Sequence, residues 1–322
     1  MSKPTDTNPH DHFIRELLAN PEQGSAYLAT VLPPPIVQAY DLTKLRRIPG
    51  EFVTSRFKER RADMLLHVPR RGEPPDSDDP GLLLYLLFEH LSGPDHTLPL
   101  RMLDYQVAGW YDIVKALGGD PRHRKLRLPP VVPIVLYQGD ATWTVAPDMQ
   151  SVFGLETMPP DLRETLAPYV VSQRYVLQDL GHTPDDDIKG RGALRVALLS
   201  MKHIRSPDLI DALRTMLDDM AWVLNEGSPG DLHALEMVVS YVIMASEHVD
   251  EQQVLDVMEP LGERAKEVAM TAGERLILRG REEGERKARL ELARKMLGEG
   301  LSLEQVVRVT DLSLEQVRKL VS

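Results

Sequence analysis

Residues 63–92 read Asp63-Met64-Leu65-Leu66-His67-Val68, then a polar loop, then Gly81-Leu82-Leu83-Leu84-Tyr85-Leu86-Leu87-Phe88-Glu89-His90-Leu91-Ser92. The two apolar runs, Asp63 to Val68 and Leu82 to Phe88, have the length and composition of buried strands. The loop between them, residues 69–80, is rich in prolines and acids, which cannot continue a sheet. The stretch therefore predicts a β-hairpin, around which we expect the rest of the chain to be organised.

The hairpin also predicts that two acidic residues come together. In an antiparallel pair the start of the first strand lies beside the end of the second, so we expect Asp63 close to Glu89. If residue 63 pairs with residue 87, the alternation of side chains puts both carboxylates on one face. Like charges that close repel unless they are neutralised, and a hard divalent cation held by oxygens does this. The simpler interpretation, that both acids face water, remains open at this point.

Composition bounds the class of protein. The 322 residues, 42% of them hydrophobic, can bury a substantial core and suggest two or three structural units. Because there is no cysteine, disulfides and thiolate metal sites are excluded, and any bound metal must use oxygen or imidazole ligands. We find no signal peptide and no apolar run near the ~20 residues that span a bilayer. We therefore expect a cytoplasmic protein with no membrane partner.

The charge is acidic overall but uneven. A formal net charge of -11 argues against a protein that coats DNA indiscriminately. Residues 44–71, however, contain nine basic side chains against three acidic ones, and residues 122–127 form a second basic cluster. A solvated basic face is the plain interpretation, and phosphate binding is the functional one. The candidate DNA-binding residues are Lys44, Arg46, Arg47, Lys58 and Arg60.

Helices and strands alternate through the rest of the N-terminal region. We expect a helix over His10–Leu32 with a break at Asn20-Pro21, strands over Asp41–Ile48, Val131–Tyr137 and Arg174–Leu180, an extended segment over Phe52–Phe57, and a helix with an apolar stripe from Leu100 to Leu117. Pro133 removes one hydrogen-bond donor from its strand, which predicts an edge position or a bulge. The striped helix is expected to pack on the sheet.

From about residue 191 the pattern changes to successive helices. Residues 263–299 are dense in charges of both signs, as in an exposed or self-associating helix, although Gly273, Gly280 and Gly284 weaken a continuous coiled coil. We divide the chain into a domain of residues 1–190, a helical extension of residues 191–262, and a tail of residues 263–322. Self-association through the C-terminal helices is a candidate role for this part of the chain.

The tail contains an internal repeat. Leu301-Ser302-Leu303-Glu304-Gln305-Val306 recurs eleven positions later as Leu312-Ser313-Leu314-Glu315-Gln316-Val317. In each copy the serine and the glutamine form a capping box, so we expect two short helices with a tight joint at Asp311. The spacing is that of a helix-turn-helix. Because only Gln316, Arg318 and Lys319 suit a DNA-reading face, we favour a packing or oligomerisation hairpin.

Short motifs spread over residues 10–205 resemble those of a known family, the transposase-like recombination-promoting nucleases of the PD-(D/E)XK restriction-endonuclease-like superfamily. The matching motifs are His10-Asp11, Leu32-Pro33, Pro49-Gly50-x-Phe52-Val53, Asp63-x-Leu65, Glu89-His90-x-Ser92, Pro99-x-Arg101-x-x-x-Tyr105, Pro130-x-x-Pro133-Ile134-Val135-Leu136-Tyr137-x-Gly139 and Pro184-Asp185-Asp186-x-Ile188. The tail from Gly300 onward is also similar to the end of such proteins.

The resemblance implies a fold class, a cofactor and a partner. The fold would be α/β, a mixed sheet flanked by helices, followed by an all-helical C-terminal region. Asp63 and Glu89 would be the catalytic residues that carry Mg²⁺, or Mn²⁺, for hydrolysis of a DNA phosphodiester. The metal would activate a water and neutralise the charge that develops on the phosphate oxygens.

One position departs from the family. Two residues after the glutamate the family has glutamine, and the wider superfamily has lysine, whereas this chain has Leu91. An apolar side chain can neither orient the water nor stabilise the transition state, and losing one such contributor typically costs ~10² to 10³ in rate. Gln106, Arg101 or Arg61 could substitute from a neighbouring element.

Other polar residues near these motifs are supporting candidates with plainer alternatives. Asp11 is a possible ligand or a helix-start residue, and His90 a possible base or a structural histidine. Asp179 and the acidic run Asp185–Asp187 are better explained as a solvated turn.

Three functions follow for testing. The first is a Mg²⁺-dependent DNA endonuclease of the recombination-promoting type, impaired by Leu91. The second is a catalytically degenerate DNA-binding or assembly protein that keeps the nuclease fold. The third is a helical interaction protein in which the N-terminal region is only a scaffold. Leu91 favours the second over the first, and the Asp63 and Glu89 pair in its basic surroundings favours the first over the third.

Overall fold

The computed structural model describes residues 9–48, 64–74, 79–89, 95–116, 127–310, 312–318 and 320, with the backbone alone at residues 89, 112–116, 274–287 and 314–315. Five strands form one sheet in the order β1-β2-β3-β4-β5. They are β1 (Arg46–Arg47), β2 (Met64–Val68), β3 (Leu82–Glu89), β4 (Val131–Tyr137) and β5 (Val176–Asp179). The first three strands pair antiparallel and the last three parallel, so the sheet is mixed. The predicted fold class is confirmed.

The hairpin has the register on which the carboxylate hypothesis depends. Met64 lies opposite Leu86, which is the alignment required for residue 63 to pair with residue 87. The second strand continues one residue beyond its predicted end, to Glu89. Residues 82–88 are all buried, because β3 is the central strand and helices cover both faces of the sheet.

Alternate residues of β3 enter different cores, as the two-residue period of a strand requires. Leu84 and Leu86 belong to the large core, which also contains residues of the N-terminal helices α1 (Pro9–Ala19) and α2 (Pro21–Val31). Tyr85 and Leu87 belong to a smaller core under α4 (Leu98–Ala116). The striped helix therefore packs on the sheet as predicted.

The predicted break in the first helix is real. Asn20 caps α2 by accepting a hydrogen bond from the Glu22 amide at 2.9 Å, and Pro21 occupies the first turn. The triple proline both ends α2 and begins the short helix α3 (Pro34–Ala39).

The strand predicted over Asp41–Ile48 is mostly wrong. Residues Leu42–Lys44 form a 3₁₀ turn, and only Arg46–Arg47 pair with β2. The Asp41 side chain accepts a hydrogen bond from the Thr43 hydroxyl at 2.6 Å, and the Lys44 amide donates to the Asp41 carbonyl at 3.0 Å. These local bonds compete with a sheet ladder. The segment predicted over Phe52–Phe57 lies outside the described residues.

Pro133 lies in a part of β4 that is paired with a neighbouring strand on one side only. It lies opposite Tyr85 on β3, whereas β5 pairs with β4 only from Ile134 onward. The missing donor at Pro133 therefore faces a side where no strand needs it, which is the condition that proline requires.

Successive helices follow β5, as predicted. They are α7 (Ala193–His203), α8 (Leu209–Thr215), α9 (Leu217–Glu226), α10 (Pro229–Ala245) and α11 (Glu251–Met258), preceded between β4 and β5 by α5 (Met149–Val152) and α6 (Pro160–Leu166). Further 3₁₀ turns lie at Leu155–Thr157, Ala167–Tyr169, Asp185–Asp187 and Glu259–Leu261. Residues of α7 to α11 join residues of the sheet in the large core, so these five helices and the sheet share one apolar interior. The proposed division at residue 190 stays a prediction.

The tail is built on the end of a long helix. Helix α12 (Glu263–Gly298) runs for 36 residues and is followed by α13 (Leu303–Thr310) and α14 (Leu314–Arg318). Ala293, Val306, Leu312 and Val317 are buried together in a separate small core. Both predicted capping boxes form: the Ser302 and Ser313 amides donate to the glutamines three positions on, whose own amides donate back to the serine hydroxyls. The joint predicted at Asp311 lies outside the described residues.

Candidate functional site

The carboxyl ends of the three parallel strands form one rim of the sheet. In the ladder Glu89 lies beside Tyr137, and Tyr137 lies beside Asp179. Polar residues that follow these strand ends must therefore gather at the same edge, where ligands of α/β sheets commonly bind. Asp63, Arg61, Lys58, Arg60, His90 and Leu91 lie outside the described residues, as does the Glu89 side chain, so the geometry of the carboxylate pair stays a prediction.

Asp11 lies at this rim. A small cavity brings it together with Phe88, which precedes Glu89 on β3, and with Gln138, which follows β4. The first helix is fixed there by His10, whose Nδ1 lies 2.6 Å from the hydroxyl of Tyr241 on α10. Burial raises the pKa of the Tyr241 phenol, so this hydroxyl stays protonated. The supporting candidate from the first helix therefore approaches the strand that carries Glu89.

Gln138 connects the rim to the helical half of the molecule. Its side chain is buried, and its Nε2 donates to the carbonyl of Met201 on α7. Arg205, just beyond α7, donates from Nη1 to the Gln138 carbonyl at 3.5 Å. The end of α7 is thereby held against the end of β4.

A basic cleft of about 290 Å³ opens at this junction. Its lining residues are Gln138, Gly139, Asp140, Gly181, His182, Lys202, His203 and Arg205. The last three, Lys202, His203 and Arg205, are not among the residues that the sequence singled out. The run Lys202-His203-Ile204-Arg205 at the end of an apolar helix was the available signal, but nothing in the sequence indicated that it faces the end of β4.

Asp185 makes partly buried, specific contacts with two of these side chains, Lys202 and His203. Its carboxylate lies 2.5 Å from Lys202 Nζ and 2.8 Å from His203 Nε2, and Lys202 also donates to the Thr183 carbonyl at 2.6 Å. Although partial burial raises it, the hydrogen bonds from Lys202 and His203 hold the pKa of Asp185 below its ordinary value. The expectation of a merely solvated turn is therefore wrong for Asp185.

Asp179 is likewise paired rather than merely solvated. Its carboxylate lies 3.0 Å from His182 Nδ1. The remaining residues of the acidic run, Asp186 and Asp187, are exposed, as predicted.

Two of the residues considered as substitutes for the polar side chain missing at Leu91 are described, and both lie on α4. Arg101, on its first turns, forms an ion pair with Asp95. Partial burial raises the pKa of Asp95, but hydrogen bonds from Thr97 and Arg101 outweigh it and lower that pKa to about 2. Gln106 lines an apolar cavity with Leu83, six residues before Glu89 on β3. The structure therefore does not bring Gln106 to the rim that carries Glu89.

The described candidates for DNA binding lie on and before the edge strand β1. Arg46 and Arg47 are exposed, and the Arg46 Nε donates to His67 Nδ1 at 3.2 Å. Lys44 lies 3.4 Å from the Asp41 carboxylate. In the tail Gln316 and Arg318 are exposed, but the Gln316 carbonyl is already used in its capping box; Lys319 lies outside the described residues.

The described residues contain neither a cluster of metal-binding side chains nor a helix that could cross a membrane. No group of three or more histidine or acidic side chains is gathered as a metal site there, a search that covers neither Asp63 nor the Glu89 side chain. No helix in those ranges combines the length and apolar character needed to cross a membrane.

Comparison with known proteins identifies relatives of the whole chain. Recombination-promoting nuclease RpnA of Escherichia coli (strain K12) is 28% identical over 317 residues, covering 98% of each chain. RpnC of the same strain is also 28% identical, over 320 residues and 98% of each chain. A third relative there, named inactive recombination-promoting nuclease-like protein RpnE, is 27% identical over 323 residues and 97% of each chain. No solved structure matches the chain significantly.

Two family models match separate parts of the chain. The model described as "Putative transposase, YhgA-like" matches residues 8–228, and that of the "Rpn/YhgA-like nuclease family, C-terminal HTH domain" matches residues 286–322. The second match favours DNA binding over the packing hairpin that we preferred for the tail. The chain therefore belongs to the YhgA-like transposase family, with the C-terminal helix-turn-helix domain of the Rpn/YhgA-like nucleases.

Proposed function

We propose that this protein is a metal-dependent DNA endonuclease of the recombination-promoting type, with Asp63 and Glu89 as its metal-binding carboxylates. One observation carries the proposal: the ladder in which Met64 lies opposite Leu86. Asp63 precedes the first of these residues in the sequence, and β3 runs on to Glu89. Two relatives that align with nearly the whole chain are named recombination-promoting nucleases, which supports the same activity.

The donor set suits Mg²⁺ or Mn²⁺. The chain offers carboxylate oxygens at this rim and no cysteine, and Mg²⁺ is commonly held by one or two carboxylates together with substrate phosphate. When bound, such a metal supplies an activated water and neutralises charge on the phosphate. The protein's own contribution is positioning: the sheet register sets the two strands, and Asp11 borders the same rim from α1.

A second candidate function is DNA binding without cleavage. Leu91 favours it, because leucine offers no hydrogen bond where the family has glutamine. The relative named inactive is as similar in length and identity as those named nucleases, so membership of the family does not decide activity. Self-association through the C-terminal helices is part of either proposal, and analytical ultracentrifugation of the full chain tests it.

A plasmid-nicking assay with Mg²⁺ or Mn²⁺ separates the two functions. We expect the parent chain to nick, and both Asp63→Ala and Glu89→Ala to abolish nicking while leaving DNA binding intact. Asp161→Ala, which removes an exposed carboxylate from α6, is the matched control and should nick like the parent. Nicking unaffected by Asp63→Ala contradicts the catalytic assignment.

Leu91→Gln tests whether the departure from the family pattern limits the rate. Restoring a polar group at this position is expected to raise nicking by about 10² to 10³ if one electrostatic contributor is missing. Nicking that appears only in Leu91→Gln identifies a degenerate enzyme and supports the second function.

A further inference from the structure

The basic cleft lies between the ends of β4, β5 and α7. Neither of the proposed metal-binding carboxylates, Asp63 and Glu89, is among the residues that line it. Arg205 is exposed, Lys202 and His203 are half-buried beside it, and Gly139 and Gly181 form the floor. Arg205 donates to the Gln138 carbonyl, and no carboxylate of the described residues forms an ion pair with it. A guanidinium that is not paired with a carboxylate, at the mouth of a cleft, is a binding group for an oxyanion.

The floor of the cleft is built for close approach. A side-chain carbon at Gly181 would lie 2.8 Å from the Gly139 carbonyl oxygen, so the loops after β4 and β5 meet this closely because residue 181 is glycine. This contact keeps the two loops together at the base of the cleft. The two loops therefore form one wall of the cleft, which faces the basic residues at the end of α7.

The cleft lies within reach of the proposed metal site. Tyr137 pairs with Glu89 on the adjacent strand, and Gln138 and Gly139 are the next two residues. Adjacent strands are about 4.8 Å apart and each residue advances about 3.3 Å, so the floor begins within about 10 Å of Glu89. A DNA strand bound at Glu89 can therefore also reach the cleft with a neighbouring phosphate.

We propose that Arg205, with Lys202 and His203, binds a neighbouring backbone phosphate of the DNA strand whose phosphodiester lies at Glu89. Asp185, which holds Lys202 and His203 in the free protein, competes with that phosphate for these two side chains. The inference rests on the proposed function for its substrate, but it concerns binding and is measurable without cleavage.

The test is the salt dependence of DNA binding by the full chain, measured by fluorescence anisotropy with a labelled duplex in EDTA. Each phosphate contact contributes about 0.9 to the slope of log K against log salt concentration. We expect Arg205→Ala to lower the slope by about 0.9 and to weaken binding several-fold, and Arg205→Lys to restore the slope. The matched control Arg214→Ala removes an exposed arginine that is paired with Asp211, outside the cleft, and should change neither.

A second variant changes binding in the opposite direction, which misfolding does not imitate. Asp185→Asn removes the competing charge and is expected to tighten DNA binding several-fold. Unchanged slope in Arg205→Ala, or weaker binding in Asp185→Asn, overturns the phosphate site. If Arg205→Ala lowers the slope while Asp63→Ala still nicks, the phosphate site is supported and the catalytic assignment is contradicted. If Arg205→Ala leaves the slope unchanged while Asp63→Ala abolishes nicking, only the phosphate site is contradicted.

Discussion

At the scale of single residues, His67 is surrounded by groups that favour its neutral form. Arg46 Nε lies 3.2 Å from its Nδ1, and its Nε2 lies 3.2 Å from the Pro80 carbonyl oxygen. The arrangement requires Nδ1 to accept and Nε2–H to donate. Burial, and then the charge of Arg46, lower the pKa of His67 below its ordinary value.

The lowered pKa of His67 predicts a loss of stability in acid. Below the unfolded value of about 6.5 the unfolded chain binds a proton that the folded chain does not, so the free energy of unfolding falls as the pH falls through this range. Urea unfolding of the parent at pH 7.5 and 5.5, compared with His67→Gln, measures the contribution. We expect the variant to show the smaller loss; an equal loss in both proteins contradicts it.

Two glycines are expected to respond to alanine with opposite signs. A side-chain carbon at Gly139 would lie 2.1 Å from the hydroxyl of Tyr137, which is fully buried and donates to the Ala141 carbonyl at 2.7 Å. Gly139→Ala is therefore expected to destabilise the protein by about 1 to 3 kcal/mol, in the range of overpacked core variants. Gly109, within α4, has open space at that position, so Gly109→Ala should stabilise by about 0.5 to 1 kcal/mol. Thermal unfolding of both variants checks the pair, and a stable Gly139→Ala refutes the packing account.

At the scale of elements, helix α10 is tied to α2 by a buried polar contact. Gln23, which is 2% exposed, donates from Nε2 to the Asp231 carboxylate at 2.8 Å. Asp231 also completes the capping box of α10 with Ser228. Gln23→Met leaves a buried carboxylate oxygen without this donor and is expected to cost about 1 to 3 kcal/mol.

Chemical denaturation of Gln23→Met measures this cost. Ser228→Ala, which removes the cap together with the hydrogen bond from the Ser228 hydroxyl to Glu22 on α2 at 2.8 Å, is the comparison and should cost about 1 kcal/mol. A variant Gln23→Met as stable as the parent shows that the contact does not hold α10 to α2.

Local patterns predicted the elements well wherever one physical preference dominated. Apolar runs located β2, β3 and β4, and Asn20-Pro21 located the break between α1 and α2, because burial and capping act over a few residues. The strand expected at Asp41–Ile48 failed because the Asp41 side chain offers its own hydrogen bonds, a competition that propensity does not reveal.

At the scale of the whole molecule, sequence reasoning predicted the hairpin that ends at the rim of the sheet, but not the contact between α7 and the end of β4. The hairpin itself followed from its two apolar runs, whereas the pairing of residue 63 with residue 87 was a condition of the carboxylate hypothesis, and the observed ladder has that alignment. The cleft depends on α7 meeting the end of β4, and Gln138 reaches the Met201 carbonyl across 63 positions of sequence. A contact at that separation leaves no periodic signal, so Arg205 could not be assigned in advance.

The small core of the tail is separate from the large core of the body, and this separation makes a prediction about DNA binding. Val306 is fully buried among the residues that hold α13 and α14 to the end of α12. Val306→Asp places a charge in that core and should unfold the helix-turn-helix while the main thermal transition, set by the large core, changes little.

The matched control lies on the same helix and carries the same new charge. Val309 is 58% exposed, so Val309→Asp leaves the small core intact. We expect Val306→Asp to weaken duplex binding at least tenfold more than Val309→Asp, as measured by anisotropy in EDTA, with calorimetry on both variants to follow the main transition. Equal binding by the two variants means that the tail does not need its fold to contact DNA. A main transition lost in Val306→Asp means that tail and body unfold as one cooperative unit.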